Sequence, residues 1–363
     1  MEATAAIAKF ACPACGGEAN WNAAQQKLIC PFCGTQSPAK LDATGAVLEH
    51  DLATALHGIG ADERASGIDR REVKCQSCQA ISLFDPKRQA QNCEFCGSAQ
   101  LVPYADAKPA LRPESVLPFV IDESSARDRI RRWYGKLWLA PNALKKRALT
   151  DTVKGIYLPY WTFDAHADAE WTAEAGHYYY TTESYVQNGQ TQTRQVQHVR
   201  WQPAAGHVSH FFDDDLVCAS VGVHPRLLRD IEPFPTPSLT PYDAAYVAGW
   251  VVERYQIDLA AAAQRARAAI DAKVQTLCAA QVGGDTYRNL NVNTTYSGQT
   301  FKHILAPVWL MSYKYGARVF QCVQNGVTGA VAGEYPKSPW KIALLVFVVL
   351  IVVVFVLTVT GGR

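Results

Sequence analysis

Eight cysteines, set out as two copies of one spacing, constrain this chain more than any other feature in it. Cys12-Pro-Ala-Cys15 is followed after fourteen residues by Cys30-Pro-Phe-Cys33, and Cys75-Gln-Ser-Cys78 after fourteen by Cys93-Glu-Phe-Cys96. Every cysteine of the second copy lies sixty-three positions beyond its counterpart, and the neighbours repeat as well: Trp21 aligns with Phe84, Phe32 with Phe95, Gly34 with Gly97. The pattern is an internal duplication, and each copy has zinc-ribbon spacing.

Two thiolates on one CxxC turn and two on a second close a tetrahedral shell around a metal ion. We therefore expect two structural zinc ions, one held by Cys12, Cys15, Cys30 and Cys33, the other by Cys75, Cys78, Cys93 and Cys96. A closed shell leaves no coordination position for a substrate, so neither ion is read as catalytic. Gly16, Gly34 and Gly97 follow their CxxC pairs where the turn calls for positive φ. The hairpins between the pairs are poor in apolar residues, and metal binding supplies the missing stability, on the order of 10–16 kcal/mol apparent in finger peptides. Two disulfides per cassette, or a redox CxxC, are the competing readings. The first needs an oxidising compartment, yet Met1 to Phe10 lacks the charged and apolar regions of a secretory signal. The second needs only one pair of cysteines. Cys218, Cys278 and Cys322 stand apart and read as small buried apolar residues.

With 363 residues the chain has room for two or three domains. A net charge of +2 and a charged fraction of 19% give no general bias toward polyanions. The other end of the chain carries a different signal. Ile342 to Val359 reads IALLVFVVLIVVVFVLTV without a charge, preceded by Lys337, Trp340 and Lys341. About twenty helical residues from Trp340 span a hydrocarbon core, and the tryptophan and lysines suit the interface. The expectation is one C-terminal transmembrane helix over 340–359, with the body on the cytoplasmic face of a cell membrane.

Between these ends the sequence divides into ribbon one (10–40), a linker with a short helix (41–72), ribbon two (73–102) and an α+β body (114–335). In the linker, Leu48, Leu52, Leu56 and Ile59 recur at helical spacing, placing the helix near Glu49–Gly58. In the body, Ser115 to Ile121 reads as a short strand, Asp122 caps a helix running past Trp133, and Pro141 opens a second helix ending near Leu149. Gly155–Ala169 and Gln195–Val208 are β-rich. An Ala-rich helix runs from Asp258 to about Ala280, with Leu259, Ala263, Ala266, Ile270, Val274 and Leu277 on one face and Gly283-Gly284 at its end. Strands follow at Leu290–Tyr296, Lys302–Tyr315 and Ala317–Gln324, and Asn325-Gly326 signals a hairpin. The body is expected to be built on a mainly antiparallel sheet.

SVLPF (115–119), KLWLAPNALKK (136–146), KGIYLPYWTFDA (154–165), APVWLMSYKY (306–315) and QNGVTGAVAGEYP (324–336) carry a resemblance across nearly the whole chain. The sequence resembles bacterial membrane-anchored zinc-ribbon proteins labelled primosomal-protein-N′-like or as having a transcription-factor-IIB-type ribbon. The resemblance implies a membrane adaptor in envelope stress, with phage-shock-type or stomatin/flotillin-type (SPFH) protein partners. Some relatives carry more than one membrane span, whereas this sequence shows one.

The residues exclude the motor that the primosomal label suggests. A helicase needs a phosphate-cradling GxxxxGK[ST] loop, and Gly135-Lys136 is followed by Leu137 with no glycine at the required position. His166, Asp168 and Glu170 alternate along a strand, with His207 and His210 as further members of an imagined acid/base or metal site. A solvated sheet face is the better reading, so no catalytic residue is assigned and the chain is expected not to be an enzyme. Tyr178-Tyr179-Tyr180 and Trp171 can stack on bases, and Arg129, Arg131, Arg132, Lys145, Lys146 and Arg147 can meet phosphates. Packing and hairpin formation for the aromatics, and a solvated helix face for the basic cluster, are the better readings. The leading expectation is a non-enzymatic adaptor that presents its ribbons to a protein. The alternative is a tethered nucleic-acid-binding module using Lys27, Lys87 and Arg88.

Overall fold

The computed structural model describes residues 11–36, 47–58, 71–84, 92–104, 111–141, 153–187, 190–316 and 318–360. In chain order its elements begin with β1 (Asn20–Asn22), β2 (Lys27–Ile29), β3 (His50–Asp51), α1 (Leu52–Gly58), β4 (Arg71–Cys75), β5 (Ile81–Phe84), β6 (Leu101–Pro103) and β7 (Ser115–Val116). Next come α2 (Glu123–Lys136), β8 (Lys154–Gln187), β9 (Gln190–Cys218), α3 (Pro225–Ile231), β10 (Thr240–Pro241) and β11 (Val251–Glu253). The chain finishes with α4 (Leu259–Gln281), β12 (Thr286–Tyr315), β13 (Arg318–Asn325), β14 (Val331–Gly333) and α5 (Pro339–Thr360). The helix expected from Pro141 to Leu149 falls, after its first residue, outside the described residues, as do Lys145, Lys146, Arg147, Lys87 and Arg88.

The fold is α+β. Among the described strands, β1 and β2 pair with each other, and the rest join one twelve-stranded sheet. Its pairings are antiparallel except at β7–β12 and β8–β11. The second ribbon belongs to this sheet: β4 pairs with β5 and β6, and β5 pairs with β11 through Val252↔Leu83 and Glu253↔Ser82.

Three strands are far longer than the sequence suggests: β8 has 34 residues, β9 29 and β12 30. At about 3.3 Å per residue, the contour of β8 is on the order of 110 Å. Its middle alternates strictly. Phe163, Ala165, Ala167, Ala169, Trp171, Ala173 and Ala175 face inward and are buried, whereas the alternate residues Asp164, His166, Asp168, Glu170, Thr172 and Glu174 supply the other face. Helix α4 lies on the alanine stripe with Ile270, Val274 and Cys278 against it, because small side chains on the sheet let the helix approach closely. Asp258 caps this helix by accepting from the Ala261 N–H at 2.9 Å, and Gly283 and Gly284, both at φ +74°, end it. Its buried face includes Ala262 and Cys278 where Ala263 and Leu277 were expected. An alanine-rich helix gives little contrast between adjacent positions. Beyond the end of α4, strands β8 and β9 continue as a two-stranded arm exposed on both faces.

Other local expectations hold. Asp122 accepts from the Ser125 N–H at the start of α2. Asn325 closes the β13–β14 hairpin by accepting from the Val327 and Thr328 N–H groups at 2.9 and 3.0 Å. The linker helix is shorter than expected, beginning at Leu52, and the strand from Ser115 ends at Val116. Cys278 and Cys322 are buried, and Cys218 is partly so.

His303 on β12 is 3% exposed and lies against Trp161 and Tyr255, with ring centroids 4.8 and 5.3 Å away. Burial lowers its pKa to about 4, against the Leu111 and Arg112 carbonyls, which pull it upward. The folded value lies below the ordinary histidine value of 6.5, so the unfolded chain binds more protons between them. The stability His303 contributes as a neutral ring is complete above that window and is lost as pH falls through it. The loss is on the order of 3 kcal/mol. We expect His303→Phe to flatten the acid limb of stability against pH, measured by denaturant unfolding. An unchanged limb would remove His303 as its cause.

The segment 340–359 is helical within α5, which has 22 residues, and its side chains from Ile342 to Val354 are exposed. Among the described residues, no helix is long and apolar enough to cross a membrane.

Candidate metal centres

Each CxxC folds into the same turn. In the first ribbon Gly16 N–H donates to the Cys12 carbonyl at 2.8 Å and Gly34 N–H to the Cys30 carbonyl at 2.9 Å. In the second, Gln79 and Gly97 do the same to Cys75 and Cys93, both at 2.9 Å. The residue just after each CxxC has positive φ: Gly16 +69°, Gly34 +72°, Gln79 +64° and Gly97 +74°. Gln79 is the exception in residue type. The left-handed conformation costs an L-residue roughly 1–2 kcal/mol, and its side chain offsets part of this by donating to the Gln76 carbonyl at 2.7 Å.

These turns converge the thiols. Cys12 and Cys33 are 3.4 Å apart at sulfur and Cys15 and Cys30 3.5 Å; in the second cluster, Cys75–Cys96 and Cys78–Cys93 are both 3.6 Å. Within each cluster all four sulfurs lie within 4.8 Å of one another. A tetrahedral ion with metal–sulfur bonds of about 2.3 Å sets its sulfurs about 3.8 Å apart. The spacing therefore fits a four-thiolate metal shell, and this donor set selects zinc or iron. All eight cysteines expected as ligands are brought together in two groups of four.

The sulfurs influence one another as four close thiols must. The Thr35 hydroxyl, aided by its backbone N–H and by Cys12 and Cys15, holds Cys33 down to about 6. Although the Gly17 N–H favours the Cys15 thiolate, Cys33 and Cys30 push Cys15 up to about 12. The Cys78 thiol holds Cys93 down to about 5, while Cys93 in turn drives Cys78 strongly upward. A shared cation would let all four ionise together.

The two clusters differ in how they meet the body. Ribbon one rests on it through Trp21, whose ring is edge-on to Tyr246 at 4.8 Å and whose backbone N–H donates to the Ala248 carbonyl at 3.3 Å. Gln26 adds a hydrogen bond to the Phe119 carbonyl at 2.7 Å. Ribbon two is built into the body. Phe95 is 0% exposed, and its carbonyl accepts from Ser312 and, at 3.0 Å, from Gln321. Gly222 makes room for its ring: a Cβ there would stand 2.6 Å from Phe95 Cδ1. Lys154 pairs with Glu94, the residue just before it. Phe32, the duplicate of Phe95, is 79% exposed, with one edge over Gly17. Sequence reasoning missed Gln321, Ser312 and Gly222 altogether. The aligned pair Phe32 and Phe95 was the available signal.

The imagined acid/base set does come together. His166 Nδ1 is 3.0 Å from Asp168, and His207 Nε2 is 3.5 Å from the other Asp168 oxygen. These groups sit half-exposed on the open sheet face opposite α4, with Glu170 beside His207 across the ladder. His210 packs instead on Phe212, ring centroids 4.6 Å apart. Tyr178, Tyr179 and Tyr180 are exposed on the arm rather than packed in the body.

The fold and the site thus define a protein with two four-cysteine clusters, one resting on and one built into a mainly antiparallel α+β body. It is similar to "Uncharacterized protein YdjG" of Bacillus subtilis (strain 168), 26% identical over 353 residues that cover 93% of this chain and 92% of that protein. No family model matches the chain, and no solved structure matches it.

Proposed function

We propose that this chain is a non-enzymatic, membrane-anchored adaptor with two structural zinc ions, whose cytoplasmic body offers its first ribbon to a protein partner. The observation that carries the reading is the unequal fate of the duplicated phenylalanine. Phe95 fills a socket in the chain's own body, while Phe32, on the same turn of the other copy, is left in water. An exposed large apolar side chain on a metal-rigidified turn is the form of a docking anchor, and the Phe95 socket shows what such an anchor requires. It needs an apolar cavity and side-chain donors to the knuckle carbonyl. The family resemblance makes SPFH-type or phage-shock-type proteins the partner class. The uncharged run from Ile342 to Val359 and the exposed apolar surface of α5 support the membrane anchor. The open setting of His166, Asp168 and His207 supports a non-enzymatic role.

The test is affinity capture of full-length protein from gently solubilised membranes, comparing wild type with Phe32→Ala. Recovery of an SPFH-type or phage-shock-type protein, reduced roughly tenfold or more in the variant, is the expected result, since loss of a central aromatic anchor costs 2 kcal/mol or more. Equal recovery by both proteins would remove Phe32 as the docking point.

A second reading, nucleic-acid binding, is favoured by the arm. Tyr178, Tyr179, Tyr180 and Tyr185 are exposed there, with the Arg200 and Arg194 guanidinium groups each 5.7 Å from the rings of Tyr179 and Tyr185. Recovery of nucleic acid without protein, weakened by salt, would move this reading to first place.

A further inference from the structure

We propose that the turn Leu137–Ala140 and the start of α5 form a single bilayer-contact surface, with Trp138 and Trp340 at the headgroup level of an anionic leaflet. The inference rests on α5 being the membrane helix of the reading above and adds how the body is held against the lipid.

The chain buries Trp161 and Trp309 completely, yet Trp138 is 52% and Trp340 84% exposed. Indole at such exposure suits the interface of a bilayer, where its apolar ring and its N–H are both accommodated. The two tryptophans belong to segments some two hundred residues apart that hydrogen bonds fasten together. The Lys341 ammonium donates to the Trp138 carbonyl at 2.9 Å and to the Ala140 carbonyl at 2.8 Å, and the Ser338 N–H donates to the Leu139 carbonyl at 2.8 Å. The turn itself is tight: Leu137 N–H closes on Tyr134 at the end of α2, and Ala140 N–H on Leu137.

Helix α5 rises directly from this junction, with the Ile342 N–H already bonded to the Ser338 carbonyl at 3.1 Å. Its side chains from Leu344 to Val354 are all exposed and apolar. No slack stalk separates the helix from the body, because the Tyr313 hydroxyl donates to the Glu334 carbonyl at 3.1 Å just before the junction. Arg132 and Lys136 on α2 and Lys337 before α5 are exposed at the same end of the molecule. Basic residues beside a tryptophan pair match an anionic headgroup layer. The body is therefore seated on the leaflet in one orientation, with the Lys341 clamp setting it.

The experiment uses full-length protein reconstituted into vesicles of phosphatidylcholine and phosphatidylglycerol. Flotation reports anchoring, and tryptophan quenching by lipids brominated near the headgroup or near the chain end reports depth. Headgroup-side bromine is expected to quench more, and the double variant Trp138→Phe, Trp340→Phe to lower that quenching roughly twofold. In a Trp340→Phe background, Lys341→Met should reduce the Trp138 signal while flotation persists. In phosphatidylcholine alone, the Trp138 signal should weaken. If the protein floats but Trp138→Phe leaves shallow quenching unchanged, the contact surface is wrong while the anchor stands. If wild type does not float, the anchor is wrong and this inference goes with it. A Trp138 signal equal with and without phosphatidylglycerol would overturn its anionic part.

Discussion

Stripping the metal from the second cluster is expected to unfold the sheet body, not the ribbon alone. Cys75 and Cys93 are buried in the same cluster of side chains as Tyr160, Leu228 and Ile304. The strands of this ribbon, β4, β5 and β6, are one end of the twelve-stranded sheet, joined to it through β5 and β11. Without the ion, four close sulfurs retain protons and compete for hydrogen bonds, and the turn that aims Phe95 into its socket loses its fastening. Metal binding at such a site is worth on the order of 10–16 kcal/mol apparent, comparable to the whole stability of a domain. Cys75→Ser and Cys15→Ser separate the two clusters. Metal analysis should find one ion instead of two in each variant. Thermal unfolding followed by circular dichroism should show a large drop for Cys75→Ser and a much smaller one for Cys15→Ser, whose ribbon lies outside the main sheet. Equal drops would mean that the second ribbon does not stabilise the body as its contacts indicate. Two ions retained in Cys75→Ser would remove that residue as a ligand.

What the sequence disclosed was set by how local each signal is. The eight ligands were legible because metal chemistry fixes residue type and spacing within a few positions, and the structure groups all of them. Asp122, Asp258 and Asn325 were legible for the same reason, since a cap or a hairpin is completed within four residues. The length of β8 was not. Its outer part, from Tyr178 to Gln187, is exposed on both faces, so it carries none of the apolar alternation that marks a half-buried strand. The face of α4 was blurred by its alanines. Incorporation of ribbon two into the body was illegible because it depends on Gln321, Ser312 and Gly222, which lie more than a hundred positions from Phe95 and have no motif in common. Local spacing told which residues can hold an ion, and tertiary contact alone told the two copies apart.

That difference yields the second large effect. Phe95→Ala should destabilise the body by about 3–5 kcal/mol, the usual cost of removing a buried phenylalanine. Phe32→Ala should change stability by no more than about 0.5 kcal/mol, as expected for an exposed position. Phe95 is fully enclosed, and its truncation would leave a cavity beside Gly222, where an added Cβ would stand 2.6 Å from the Phe95 ring and 2.9 Å from the Ala80 Cβ. The backbone would lose more than the ring: the Ser312 and Gln321 bonds to the Phe95 carbonyl hold only while the ring keys the turn in place. Metal content should stay at two ions in both variants, because neither substitution touches a thiol. Denaturant unfolding of the two proteins side by side, with metal analysis on the same samples, reads the contrast. A Phe95→Ala protein as stable as wild type would mean that ribbon two is held by its strand pairing alone. A Phe32→Ala protein as unstable as Phe95→Ala would mean that the first knuckle already has an intramolecular role, and a partner would then have to be sought on another surface.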